Sequence, residues 1–204
     1  MQIESATKFL KAVIFPRFGL SSSFLISLSE TNAVIGGSTV LQAILEKIYV
    51  DSDLDIYFSS ATHIDFMHGV LIGNNYERSH TPNVEYPALD CHTIYTYTNG
   101  ITKIQLIYYK EHVGLCPDIA ATGLLYKPSE DLYDLMGHSL ELLKKHITYM
   151  CINATSSPGR FRKYKERGWI ILQDKPLILD CCESAPLLRN EYEFVHEGRY
   201  FTLD

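Results

Sequence analysis

Two short stretches hold residue types that could do chemistry together: Val34-Ile35-Gly36-Gly37-Ser38-Thr39 and Asp51-Ser52-Asp53-Leu54-Asp55-Ile56-Tyr57-Phe58. Residues two apart in a strand share a face. Asp53 and Asp55 would therefore point one way, about 6–7 Å apart at their Cα atoms, and Leu54, Ile56 and Phe58 the other. Aspartate is depleted in strands, and two carboxylates near 4 Å repel by roughly 4 kcal/mol at an effective dielectric of 20. A divalent cation turns that repulsion into a binding site. Taken alone, Asp-X-Asp is better explained by a solvated edge strand. The glycines shift that balance. Gly36 and Gly37 let the backbone approach a ligand closely, and the N–H groups and dipole of a helix start favour a phosphate there. Ser38 can donate its hydroxyl to that phosphate or cap the helix. Gly-Gly-Ser by itself reads as a tight turn, and no lysine follows it as in a P-loop. A phosphate cradle and an acid pair joined by one helix make a coherent device for a triphosphate and its metal ions.

The elements that must position these residues follow from apolar spacing. Residues 4–14 and 22–30 read as helices, separated by a break at Pro16 and Gly19. Residues 33–36 read as a short strand, 39–48 as an amphipathic helix, 53–58 as a strand and 61–72 as a helix. Residues 74–90, with Pro82 and Pro87, read as a surface loop. Strands 93–98 and 101–109 flank Asn99-Gly100, the residue pair of a type I′ hairpin turn. Residues 118–126 read as a further strand. Ser129 would cap a helix from about Asp131 to Met150, carried by Leu132, Leu135, Leu140, Leu143 and Ile147. The fold class expected is α/β (α+β), a mixed sheet of about five strands flanked by helices. Residues 1–150 would form the core with its N-terminal helices. Residues 151–204 would be an extension packed on it, with a turn at Ser156–Gly159 and the basic segment RFRKYKERG after it, one domain overall.

At Ile35-Gly36-Gly37-Ser38 and Asp53-Leu54-Asp55-Ile56 the sequence resembles the nucleotidyltransferase superfamily, the fold shared by DNA polymerase β, poly(A) polymerases and aminoglycoside nucleotidyltransferases. Its signature is an apolar residue, Gly-Gly or Gly-Ser, a helix, then Asp-apolar-Asp-apolar; the gap between the halves is slightly longer here. The resemblance is specific over residues 33–58, extends to 126 and is weak beyond. It implies an NTP substrate, Mg²⁺ or Mn²⁺ held by Asp53 and Asp55, and a third carboxylate from a later strand. In Lys103-Ile104-Gln105-Leu106-Ile107 that acid is replaced by Gln105, and Asp118 is the candidate to supply it. Gly36, Gly37 and Ser38 would hold the nucleotide's phosphates. The basic segment resembles a stretch that follows this core in some stand-alone members, so Arg162 and Lys163 would contact a triphosphate or an RNA end; a solvated helix face ending at Gly168 explains them equally well.

Bulk properties narrow the partners. The chain has 204 residues, a net charge of −6, 46% hydrophobic and 21% charged residues, as a soluble globular protein does. The acidic balance disfavours a general grip on long nucleic acid. No apolar run reaches a membrane span. Five cysteines without a Cys-X-X-Cys pair read as free thiols in a reducing, cytoplasmic setting. Cys91, His92, His112 and Cys116 are a weaker candidate for zinc than for packing, and Cys181-Cys182 reads as buried small residues. The histidines show no triad spacing. The leading expectation is transfer of a nucleoside monophosphate from an NTP to a hydroxyl on a small molecule, RNA end or protein. The alternatives are a degenerate nucleotide-binding or interaction module, marked by Gln105, and a nucleic-acid binder using the basic segment.

Overall fold

A computed structural model describes residues 2–79, 91–109, 119–135, 138–150 and 158–172. They fall into two compact units, one drawn from Met1–Lys110 and Leu125–Tyr133, the other from Glu111–Leu124 and Asp134–Asp204.

The first unit opens with α1 (Gln2–Phe9), a π-helical stretch (Leu10–Ile14) and α2 (Phe15–Arg17), in one unbroken helical run. The run passes Pro16, where a break was expected, and it ends at Gly19, whose φ is +66°. It buries Leu10, Ile14, Phe15 and Phe18. Helix α3 (Ser22–Glu30) follows as expected, then β1 (Val34–Gly36), α4 (Ser38–Leu45), β2 (Leu54–Phe58) and α5 (Ala61–Gly73). Helix α4 stops three residues before the expected Ile48. Glu46 turns into the left-handed region, φ 50° and ψ 40°, and buried Gln42 accepts the Tyr49 N–H at 2.6 Å.

The sheet is completed by β3 (Glu77–Arg78), β4 (Cys91–Thr98), β5 (Lys103–Tyr109), β6 (Leu125–Lys127) and β7 (Leu132–Asp134), in the order β3-β4-β5-β2-β1-β6-β7. It has seven strands, not about five; β3 and β7 are edge strands too short to leave a period in the sequence. Strand β2 pairs antiparallel with β1 and parallel with β5. Its alternation is as read: Leu54, Ile56 and Phe58 are buried, while Asp55 and Tyr57 on the other face are half-buried.

Three local expectations are corrected. Thr98 pairs with Lys103, so the β4–β5 connection has four residues and is no type I′ turn. Asn99 Oδ1 instead accepts the Ile101 and Thr102 N–H groups at 3.0 and 2.8 Å, the local side-chain turn asparagine favours. The strand expected over 118–126 is a 3₁₀ turn at Ala120–Thr122 followed by β6. The long helix expected over 131–150 is β7, a short helix α6 (Leu140–Lys144) and β8 (Ile147–Tyr149). Its leucine spacing slips from three to five between Leu135 and Leu140, and Ser139, not Ser129, caps α6 by accepting the Leu142 N–H at 3.1 Å.

The second unit also contains α7 (Pro158–Glu166) and β9 (Ile170–Leu172), and β8 and β9 pair in parallel. The Thr148 hydroxyl accepts the Ala121 N–H at 2.9 Å. Trp169 packs edge-on against His146, ring centroids 5.1 Å apart, and beside Tyr164 at 6.2 Å.

Candidate functional site

Gly36 is the β1 residue directly opposite Asp55 in β2. Gly37 follows with φ 70° and ψ −153°, a backbone region essentially reserved for glycine. A Cβ on Gly37 would stand 2.6 Å from Asp55 Oδ2. The glycine therefore lets the N-terminus of α4 close onto the Asp55 carboxylate. Gly36 has a packing task of its own: a Cβ there would meet Tyr57 Cε2 at 2.6 Å and Leu125 Cδ2 at 3.0 Å.

Hydroxyl groups tie the helix start to the acid strand. Ser38 and Ser52 hydrogen-bond through their Oγ atoms. Thr39 Oγ1 donates to the Asp53 carbonyl at 2.9 Å, and Ser52 Oγ lies 3.3 Å from the same oxygen. Gln42 Nε2 donates to the Ser38 carbonyl at 3.1 Å. Arg17 Nη1 donates to the Tyr49 carbonyl at 2.8 Å, and Nη2 to that of Val50. The segment leading into Asp53 is thus held from both α2 and α4.

The neighbouring strand supplies two groups. The parallel register aligns Asp55 with Gln105, and aligned residues of paired strands share a face. Gln105 is buried, so a neutral amide lies beside Asp55 in the stretch where the family resemblance implies an acid. Two residues earlier on that face, Lys103 Nζ makes an ion pair with Asp53 Oδ2 at 2.8 Å; the two side chains are 42% and 32% exposed. Asp55 is half-buried, and its Oδ1 is shielded from solvent.

Gly36, Gly37, Ser38, Asp53 and Asp55 are thus brought together in the first unit. Asp118 lies outside the described residues, as do His112, Cys116, Cys181 and Cys182. Arg162 and Lys163 belong to α7 in the second unit, Arg162 exposed and Lys163 half-buried. Their helix closes at Gly168, φ +84°, with the Trp169 N–H on the Tyr164 carbonyl at 3.0 Å. Among the described residues, no group of three His, Cys, Asp or Glu side chains is arranged to hold a metal. The donors present are two carboxylates and the Gln105 amide. Magnesium is commonly held by one or two carboxylates plus substrate phosphates, so Asp53 and Asp55 fit one such ion arriving with a triphosphate. Sequence reasoning missed Lys103 and Ser52 as site residues. Lys103 reaches Asp53 only through a strand pairing some fifty positions away in the chain. Ser52 could have been noticed as a hydroxyl next to the first acid.

A helix N-terminus set by a glycine against an acid-bearing central strand is the architecture that the motif resemblance implies. No family model matches the chain, and no curated protein does. Solved structures do match in fold. An apo CCA-adding enzyme superposes with a TM-score of 0.57 at 11% identity, covering 83% of this chain and 43% of that one. A CCA-adding enzyme in complex with CTP superposes with a TM-score of 0.51 at 12% identity, covering 85% and 44%. This chain shares the fold of those two enzymes, and it spans less than half of their length. No helix among the described residues is long and apolar enough to cross a membrane.

Proposed function

We propose that the chain is a nucleotidyltransferase that moves a nucleoside monophosphate from an NTP to a hydroxyl on a small molecule, an RNA end or a protein in the cytoplasm. One observation carries the reading: Gly36 pairs with Asp55, and Gly37 sets the start of α4 against that carboxylate. Asp53 and Asp55 would hold Mg²⁺ or Mn²⁺, and Asp118 would complete the set for a second ion. Bound there, the metal would draw charge from the phosphates and make the acceptor hydroxyl easier to deprotonate. The amides at the start of α4 would bind the β- and γ-phosphates. Ser38, now hydrogen-bonded to Ser52, would turn its hydroxyl proton to a phosphate oxygen. Asp118 would position the acceptor hydroxyl or take its proton. The acceptor oxygen then attacks the α-phosphorus, the bond to the bridging oxygen breaks, and pyrophosphate leaves. Arg162 and Lys163 are proposed as further anion contacts, to the triphosphate or an RNA end. The acidic net charge favours a small or short acceptor over a long polynucleotide.

The test is transfer of label from each α-phosphate-labelled NTP, with Mg²⁺ or Mn²⁺, onto pools of RNA, protein and metabolites. CTP comes first because one fold neighbour is a complex with it. Label that moves with the wild type and not with Asp53→Asn or Asp55→Asn supports the enzyme and identifies the acceptor class. Gln105 beside Asp55 favours a second reading, a catalytically degenerate module that binds a nucleotide without transferring it. Nucleotide binding without transfer to any pool supports that reading.

A further inference from the structure

The geometry points to Lys103 as a built-in counter-ion that a divalent cation must displace and that then binds the nucleotide's triphosphate. This rests on the reading of the Asp53–Asp55 face as a metal–nucleotide site. Lys103 Nζ lies 2.8 Å from Asp53 Oδ2, on the carboxylate nearest the start of β2. The ammonium and a divalent ion would compete for the same oxygen, and a cation seated between the two acids repels the ammonium that it replaces. Displacement is sterically open, because the Lys103 side chain is 42% exposed on a flexible four-carbon stem. The parallel register keeps it on the face that carries Asp55, Gln105 and the start of α4. The anionic group that arrives with the metal is the triphosphate, and a displaced ammonium on this face finds its next partner there.

The charges of the four side chains agree with this assignment. Asp53 and Asp55 contribute two negative charges, Lys103 one positive charge and Gln105 none. A carboxylate at position 105 would add negative charge beside Asp55; the neutral amide there and the lysine two residues before it leave a tethered cation on this face, where its positive charge would act on the phosphates. Lys103 is thus assigned as a binding residue with two successive partners, Asp53 before the metal enters and phosphate oxygens after it.

The experiment measures metal and nucleotide binding separately. Free Mn²⁺ is followed by electron paramagnetic resonance during titration of wild type, Lys103→Met, Lys103→Arg and Asp53→Asn, without nucleotide. Anisotropy of a fluorescent NTP is then followed at saturating Mn²⁺. The expected result is a split in sign. Lys103→Met binds Mn²⁺ about threefold to tenfold more tightly, because a competing cation is gone, and binds the nucleotide about tenfold more weakly, because a charged donor is gone. Lys103→Arg keeps the nucleotide affinity within about threefold. A lysine that only supports the strand would move both affinities the same way or neither, and either result overturns the assignment. Circular dichroism of each variant identifies one that fails to fold, and Lys103→Gln then replaces Lys103→Met. If the folded wild type binds neither Mn²⁺ nor NTP, the underlying metal–nucleotide reading falls and Lys103 falls with it. If wild type binds both, loses Mn²⁺ on Asp53→Asn, and is unaffected by Lys103→Met, only the Lys103 assignment falls.

Discussion

The sheet unit contains two kinds of polar network. One is mostly uncharged, and its tyrosines and threonines are buried. Tyr76 donates its hydroxyl to the Phe18 carbonyl at 2.7 Å and hydrogen-bonds Thr102 Oγ1 at 2.6 Å. Tyr126 donates to Asp131 at 2.8 Å, and Thr7 joins Asp131 and Tyr133 at 3.1 and 3.4 Å. The other network, Asp53, Asp55 and Lys103 beside Gln105, is charged and half-exposed. The first links segments far apart in sequence, including α1 to the β6–β7 region, through buried tyrosine and threonine hydroxyls, with the exposed Asp131 carboxylate at its rim. The second concentrates charge at the solvent boundary, where a ligand can replace one partner by another. The difference is one of chemistry: the first network ties segments together mainly through buried hydroxyls, and the second gathers partly exposed charges on the face proposed to bind the metal and nucleotide.

Variants can break or sharpen that contrast. Asp55→Asn should have the largest effect, on function alone: transfer falls by at least ~10³-fold, as expected for loss of a metal ligand worth several kcal/mol. Its stability should stay within about 1 kcal/mol of wild type, measured by urea unfolding beside the label assay. Gly37→Ala should cross the divide. Its Cβ would meet Asp55 Oδ2 at 2.6 Å from a φ of +70°, which costs about 1–3 kcal/mol of stability and also displaces the acid; normal transfer in this variant would show that the apposition is not needed. Tyr76→Phe should act on stability alone. It strips a buried hydroxyl from Phe18 and Thr102 and costs about 1–2 kcal/mol, with nucleotide affinity unchanged in the anisotropy assay.

The last effect, absent at neutral pH, is a pH dependence. Burial first, and Asp131 beside it, raise the Tyr126 phenol above its ordinary value, and burial raises Tyr133. The unfolded chain releases these protons near pH 10, while the folded protein keeps them. The unfolded state then binds fewer protons, so this stabilisation is complete below about pH 10 and falls as pH rises above it, by up to about 1.4 kcal/mol per pH unit per tyrosine. Thermal unfolding between pH 9 and 11 should show the decline, and Tyr133→Phe should flatten it.

Local chemistry explains what could be read from the chain. The β1–α4–β2 stretch was legible because its signals are short-range: a glycine turn, one amphipathic helix and a strict alternation from Asp53 to Phe58. Gln105 could be noticed as an amide in an acid's context, but only the β2–β5 register sets it beside Asp55. Lys103 gave no signal, since its significance depends entirely on that pairing. The leucines of residues 132–147 misled because their spacing suits a helix in parts, while the Ser139 cap and the short β7 divide the segment. Asn99-Gly100 marked the hairpin correctly but not its length, since Asn99 can close a turn with its own side chain.

The place of β2 in the sheet has a dynamic consequence. It is the fourth of seven strands, with residues paired on both sides. Local openings of a sheet start at its edges and reach the middle only near global unfolding. Transient fraying at β3 or β7 would leave the spacing of Asp53 and Asp55 untouched, and the amides of Leu54 to Phe58 should be among the slowest in the chain to exchange with solvent deuterium. The acid pair would keep its shape for as long as the protein stays folded.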